Sequence, residues 1–369
     1  MSIIIYLILC IVLSLLITSA IIPYFIYWAY KKKWFDPVNN RKVHKGHIPR
    51  VGGMAFVPSA LVAYVLTFAL SVWLGDVCLD RKTSEHFTLS SVICSMIALC
   101  TIYAEGVYDD IKEAGYKIKF LVHFLCAILI VASGVWFNSF DGLFGLYEIS
   151  WFVGMPFTVV FFMYVISAIN LIDGIDGLCA GLSGIAFLYL GVLFSLDGRL
   201  AEAMLSFSLL GTLMAYFDFN VYGKTQKHTK IFMGDCGSQV LGLLLALLVV
   251  RYAMHEGGTI VSDHALILSL SPLIIPCLDV IRVMIGRISR GGNPFLPDKT
   301  HIHHLLLAKG WNQRKTRNFI FLIVTFLIVF NLLLSPKIHI NVIFATDIVL
   351  YIALLLWIRK SLRRRGKMS

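Results

Sequence analysis

Charge is what this sequence has least of. Only 14% of its 369 residues are Asp, Glu, Lys or Arg, against 58% hydrophobic, and the mean hydropathy is +0.81. A soluble domain runs at about 45–50% apolar and about 25% charged, so the composition excludes one and points to a polytopic membrane protein. Long polar stretches are missing too. None could bury a core of its own, which leaves residues 1–369 as a single integral-membrane unit. The eight cysteines form no CxxC pair and lie mostly inside apolar runs, as small buried hydrophobes rather than a disulfide or zinc framework. A Walker loop, a Rossmann glycine pattern, a GxSxG elbow and an HExxH pair are all absent, which removes the commonest nucleotide-binding and hydrolytic sites. The first apolar run, 3–30, is too long for a signal-peptide core and has no basic residues before it, so it reads as a retained helix.

What the chain does have is apolar runs, at roughly 3–30, 51–74, 87–108, 119–137, 151–169, 178–196, 200–219, 238–254, 263–285, 318–335 and 340–358. Most approach the about 20 residues that cross a bilayer as a helix, giving an all-α protein of about eleven spans. Of the 32 Lys and Arg, 26 fall in alternate breaks: 31–50, 109–119, 220–237, 286–317 and 359–369. By the positive-inside rule those breaks are cytoplasmic, with the N-terminus outside and the C-terminus inside. Eleven spans satisfy that parity.

The polar residue types suited to catalysis concentrate in the same cytoplasmic breaks. A transporter would carry ionisable groups near mid-membrane, whereas acids at helix ends on one face favour an enzyme at the membrane surface. The sharpest stretch is Asn170-Leu171-Ile172-Asp173-Gly174-Ile175-Asp176-Gly177-Leu178, between two apolar runs. Its amide and two carboxylates recur every third residue, and in a helical turn they would point roughly one way. Such hard oxygen ligands suit Mg²⁺, which commonly bridges protein carboxylates and substrate phosphates. An N-cap for the next helix would need one such residue, not three.

Four further stretches accompany it. The loop from Asp36 runs through Arg41-Lys42-Val43-His44 to Ile48-Pro49-Arg50-Val51-Gly52-Gly53, where bare glycine N–H groups would suit a phosphate; the plainer reading is an anchor for anionic lipid. Asp109 and Asp110 end the third span, where two acids oppose the helix dipole. As scaffold they would be mildly destabilising, and such a breach of a local rule marks function. One would face a metal or proton donor while Lys112, Lys117 or Lys119 braced the other. Lys230-Ile231-Phe232-Met233-Gly234-Asp235-Cys236-Gly237-Ser238 precedes the eighth span, with Gly237 and Ser238 expected to open it as an anion-binding helix start beside Asp235. His301, His303 and His304 follow Lys299 in the large loop; hydrogen bonds to phosphate or sugar oxygens fit them better than zinc, since no cysteines accompany them.

In this order and on one face, Asp109-Asp110, Asn170 to Leu178, Gly234 to Ser238 and His301 to His304 resemble the polyprenyl-phosphate N-acetylhexosamine-1-phosphate transferase superfamily, glycosyltransferase family 4. The resemblance covers nearly the whole chain. It implies transfer of a phospho-amino-sugar from a UDP-N-acetylhexosamine to undecaprenyl phosphate, releasing UMP. It further implies Mg²⁺, with Mn²⁺ as the alternative ion, and a multi-pass protein of the bacterial inner membrane. A homodimer is compatible with it, and nucleic acid is not expected as a partner. The loop at 41–53 is similar to the branch that uses UDP-GlcNAc and starts O-antigen, enterobacterial-type or teichoic-type glycans. The peptidoglycan branch, which takes the MurNAc-pentapeptide, usually has Thr-Pro-Thr-Met-Gly-Gly where this chain has Ile48 to Gly53. Lys299 and Leu305 stand where the GlcNAc branch often has Arg.

Carried over residue by residue, the resemblance makes Asn170 and Asp235 the Mg²⁺ ligands. Asp109 becomes the group that deprotonates or orients the lipid phosphate, with Asp110 beside it. Lys119 faces the phosphates, Arg50 counts among the substrate-binding residues, and Asp173 and Asp176 order the nucleotide-sugar site. Phe232 stacks on uracil, and His301, His303 and His304 contact diphosphate or sugar. Two other classes compete: a lipid-linked sugar transporter, and a CDP-alcohol phosphotransferase. The signature of the latter continues from Asp-Gly into Ala-Arg, where this chain has Leu178 and Cys179.

Overall fold

A computed structural model of the protein describes residues 3–35, 48–75, 88–254, 264–292 and 300–364. The stretches at 36–47 and 293–299, which carry Arg41 to His44 and Lys299, lie outside the described residues.

The chain forms helices α1 (Ile3–Lys32), α2 (Phe56–Trp73, led in by a 3₁₀ turn at Gly52–Ala55), α3 (Leu89–Lys112) and α4 (Tyr116–Ala132). Next come a hairpin of β1 (Ser139–Leu143) and β2 (Leu146–Glu148), then α5 (Trp151–Ile172), α6 (Leu178–Leu196), α7 (Leu200–Val221) and α8 (Gly234–Ala253). The last elements are α9 (Ala265–Leu270), α10 (Ile274–Ile288), α11 (Ile302–Ala308), α12 (Gln313–Leu334) and α13 (Ile340–Arg363). Ten described segments are long and apolar enough to cross a membrane, α9 and α10 counting as one. The eleventh expected span corresponds to α4, whose 17 residues are the low end of what crosses a bilayer. The sequence suggested one unbroken run at 263–285. Instead α9 and α10 are separated by a 3₁₀ turn at Ser271–Leu273, where Pro272 supplies no N–H to a continuous helix.

The hairpin is the one departure from an all-α chain among the described residues. The Asp141 carboxylate accepts the Leu266 N–H at 2.7 Å and ties the hairpin to the start of α9.

α8 is the central strut. From Val240 to Val250 its sequence is apolar on every side, and a helix of that kind must be buried all round. It is buried along its whole length, whereas most of α1 faces outward. α3, α5, α6 and α9 pack directly on it. The first turn of α8 is consequently held at a fixed place, and the site is built round it.

Gly52 and Gly53 serve that placement. The sequence suggested bare N–H groups for a phosphate. In the structure both are taken: Gly52 donates to the Phe232 carbonyl at 2.9 Å and Gly53 to the Met233 carbonyl at 2.8 Å. A Cβ on Gly53 would lie 2.2 Å from the Gly237 nitrogen, so only glycine lets the two backbones meet here. The strip from Pro49 to Gly53 is thus stitched to the approach to α8, and it delivers Arg50 to the site.

Candidate active site

Three carboxylates converge at the start of α8. One oxygen each from Asp109, Asp110 and Asp235 lie within 4.8 Å of one another. Asp109 is buried, and both its oxygens are engaged: Oδ1 accepts the Ala114 N–H at 2.7 Å and Oδ2 accepts Lys119 Nζ at 2.6 Å. The same ammonium reaches Asp235 Oδ2, so Lys119 bridges the two acids. Arg50 Nη2 approaches Asp235 Oδ1 at 3.3 Å.

Asp110 does something the sequence did not suggest. Its Oδ1 accepts the Asp235 N–H at 2.8 Å and its Oδ2 the Cys236 N–H at 3.1 Å. α8 therefore begins at Gly234, a turn earlier than expected, and the anion at its N-terminus is a side chain of α3 rather than a substrate phosphate. Gly234 makes room: its φ is +75°, and a Cβ there would sit 2.4 Å from Asp110 Oδ2. The acid that opposes the dipole at the end of α3 is thus offset by the positive end of α8.

The Asn170–Leu178 stretch is not the continuous helical turn expected from its spacing. α5 stops at Ile172, and residues 173–177 form a bend into α6. Asn170 Nδ2 donates to Ser238 Oγ at 2.9 Å, one turn into α8, which leaves its carbonyl oxygen as the atom suited to a metal. Lys230 Nζ pairs with Asp176 at 2.6 Å and also reaches the Asn220 carbonyl. Asn220 Oδ1 accepts the Gly177 N–H at 2.6 Å, and Arg317 Nη1 donates to the Asp176 carbonyl at 3.0 Å. The bend is anchored by three residues, Lys230, Asn220 and Arg317, that sequence reading had not placed there. Asp173 keeps an exposed face. Protein crowded round its carboxyl, then the Asp235 and Asp176 carboxylates, push its pKa up, and water moderates the first effect.

The histidines come to the same bend. His303 is fully buried, and a Cβ on Gly174 would lie 2.1 Å from its Nε2. Neither of its ring nitrogens has a hydrogen-bond partner among the described residues. Burial, then the neighbouring His304, pull its pKa down to about 3, so the ring is neutral at any ordinary pH. His303 and His304 have ring centroids 4.2 Å apart. His301 is held from behind by Asp279 of α10 at 2.9 Å. Asp279 was missed from sequence. The available signal was an Asp and an Arg, at 279 and 282, inside an apolar run, where a charge is tolerated only when paired. Phe232 is half-buried, and its N–H donates to the Pro49 carbonyl at 2.8 Å.

The donor set fits a hard divalent cation. Among the described residues three carboxylates face two cations, Lys119 and Arg50, and each acid keeps lone pairs beyond the hydrogen bonds it accepts. Among the described residues no thiol or imidazole belongs to this acid group.

Residues 92–253 match the model of glycosyl transferase family 4. A probable undecaprenyl-phosphate N-acetylglucosaminyl 1-phosphate transferase of Bacillus subtilis is 31% identical over 314 residues, 85% of this chain and 80% of that protein. The chain belongs to glycosyl transferase family 4. Within the family it is also similar to the undecaprenyl-phosphate alpha-N-acetylglucosaminyl 1-phosphate transferase of Yersinia pestis, at 30% identity over 76% of this chain and 71% of that one. The enzyme of that name from Escherichia coli K12 is 28% identical over the same share of each. The matched stretch takes in Asp109, Asp110, Lys119, Asn170, Asp173, Asp176, Phe232 and Asp235. Arg50 and the histidines lie outside it.

Proposed function

We propose that this protein transfers GlcNAc-1-phosphate from UDP-GlcNAc to undecaprenyl phosphate, releasing UMP, at the cytoplasmic face of the bacterial inner membrane. The observation that carries the reading is the Asp109–Lys119–Asp235 bridge beside Asp110, within a chain whose relatives are named for this transfer. Asp235, Asn170 and the free lone pairs of Asp109 and Asp110 would hold Mg²⁺, which when bound supplies a positive centre for the diphosphate.

The chain's own residues account for the rest. The lipid phosphate and the UDP-sugar are both anions, so their approach needs fixed positive groups. Lys119 and Arg50 supply two, tethered to Asp109 and Asp235 so that neither has to be ordered during the reaction. A phosphate monoester has a second pKa near about 6 and is mostly dianionic at neutral pH, so the acceptor does not depend on a strong general base. Asp109 has one oxygen taken by a backbone N–H and the other by Lys119, which suits orientation of the acceptor better than covalent attack on phosphorus. The lipid phosphate then attacks the β-phosphate directly. Asp173 and the imidazoles of His301, His303 and His304 face the nucleotide-sugar, with Phe232 against the base. The Gly174–Asp176 bend, against which His303 packs, is held in place by Lys230 and Arg317.

With eleven spans, counting α4, the N-terminus lies outside and this site opens to the cytoplasm, where UDP-sugars are made. The test is to incubate purified protein with undecaprenyl phosphate, Mg²⁺ and a panel of UDP-sugars. UMP release and a lipid-linked pyrophosphoryl sugar are expected with UDP-GlcNAc. No product from any UDP-sugar would defeat the reading, and substrate movement without UMP release would replace it with a transporter.

A further inference from the structure

Asp279 is completely buried in α10, and four described groups meet its carboxylate. Arg282 Nη2 reaches Oδ1 at 2.7 Å, and Tyr351 of α13 reaches it at 3.0 Å. The Ile302 N–H, in the first turn of α11, is shared between the two oxygens at 3.2 and 3.1 Å. His301 Nδ1 meets Oδ2 at 2.9 Å. Arg282 also donates to the Thr300 carbonyl at 2.6 Å. The backbone before His301 and the backbone after it are therefore both tied to the Asp279–Arg282 pair, and so is the ring.

An ionised carboxylate only accepts. The nitrogen of His301 that meets it must therefore be the donor, which puts a proton on Nδ1. Nε2 is then the ring's other face, free to accept from a hydroxyl. A ring protonated at both nitrogens would instead donate from Nε2 to a phosphate oxygen. His303 lies alongside with its ring parallel, 5° between planes and 5.9 Å between centroids. We propose that Asp279 is a positioning residue of the transfer site: its carboxylate fixes the ring and tautomer of His301 so that Nε2 is the atom offered to the sugar or phosphate oxygens of the nucleotide-sugar. This rests on the reading above that His301 meets substrate.

The structure also predicts what Asp279→Asn does. The amide oxygen stays with Arg282 and Tyr351, the two side chains that donate to Oδ1. The NH₂ group then faces His301 Nδ1, which has to accept, and the ring proton moves to Nε2. The fold keeps most of its contacts while the tautomer reverses.

The experiment uses the full chain in detergent or nanodiscs with nitrogen-15 histidine, the His301 signals being assigned by their loss in His301→Gln. The expected result is a protonated Nδ1 in the unaltered protein and a protonated Nε2 with bare Nδ1 in Asp279→Asn. In turnover, Asp279→Asn is expected to lower kcat by at least about 10–100-fold, the loss typical where a carboxylate orients a metal-bound histidine, with KM for UDP-GlcNAc changed by less than about threefold. The same substitution added to His301→Gln should cost nothing more, because the residue it acts through is gone. A bare Nδ1 in the unaltered protein overturns the proposal. So does an Asp279→Asn loss that persists undiminished beside His301→Gln, which would make Asp279 a structural tie only. Full turnover by His301→Gln alone would instead defeat the substrate role of His301, and this inference with it. Where the double variant falls below detection, the spectra decide.

Discussion

The carboxylate of Asp110 caps the helix that carries Asp235, with its two oxygens on the N–H groups of Asp235 and Cys236 at 2.8 and 3.1 Å. Two acids that would repel each other in isolation are thereby fixed side by side, because one is bonded to the backbone of the other. Asp110→Asn keeps one acceptor and loses the charge at the dipole. Asp110→Ala loses both bonds. Loss of a helix cap costs about 0.5–2 kcal/mol, so Asp110→Ala should unfold measurably earlier in detergent than Asp110→Asn. Both should lose turnover. Equal thermal stability of Asp110→Ala and the unaltered protein would remove the capping role.

Asp235→Asn is expected to abolish turnover, since it removes an oxygen ligand and the anion that Lys119 and Arg50 both meet. Asn170→Ala should do the same through its lost carbonyl. Chelation should stop the reaction, and Mg²⁺ or Mn²⁺ should restore it. A loss of only a few-fold in either variant, with metal dependence unchanged, would sink the ligand assignment.

Direct attack predicts no covalent phospho-sugar on Asp109, Asp110 or Asp235. Radiolabelled UMP should not enter UDP-GlcNAc with enzyme and Mg²⁺ alone, and should do so once the prenyl-pyrophosphoryl product is supplied. Robust exchange in rigorously delipidated protein would promote one aspartate to nucleophile.

Burial holds His303 neutral, with its pKa near about 3 against the usual 6.5. The unfolded chain therefore binds one more proton than the folded one between those values. Stability rises with pH through that window and is lost as pH falls below about 6.5, by up to about 1.4 kcal/mol per pH unit. His303→Gln should flatten the acid limb of stability measured by thermal unfolding at stepped pH. An unchanged acid limb would mean that His303 does not carry it.

Topology has its own test. Reporter fusions at Gly223 and Lys367 should read cytoplasmic, and one at Asp141 external. An external reading at Lys367 would make the number of spans even and place the C-terminus on the wrong side.

The sequence alone determined the class, the rough number of spans and the identity of the acids. Each of these depends on local quantities: mean hydropathy along the chain, the side on which Lys and Arg collect, and oxygen-bearing residues where a helix should carry apolar ones. It could not determine partners, because those are set between segments far apart in the chain. Asp109 and Asp110 are adjacent yet have different tasks: one turns to Lys119 of α4, the other to the backbone of α8, more than a hundred residues on. Gly52 and Gly53 read as an open phosphate cradle and proved to be a seam between two backbones. Asp176 gained Lys230, and His301 gained Asp279, through contacts across 54 and 22 positions. A buried charge must find a partner wherever the fold brings one. Periodicity can show that a group needs a partner, and only the packing of α8 among its neighbours decided which one it has.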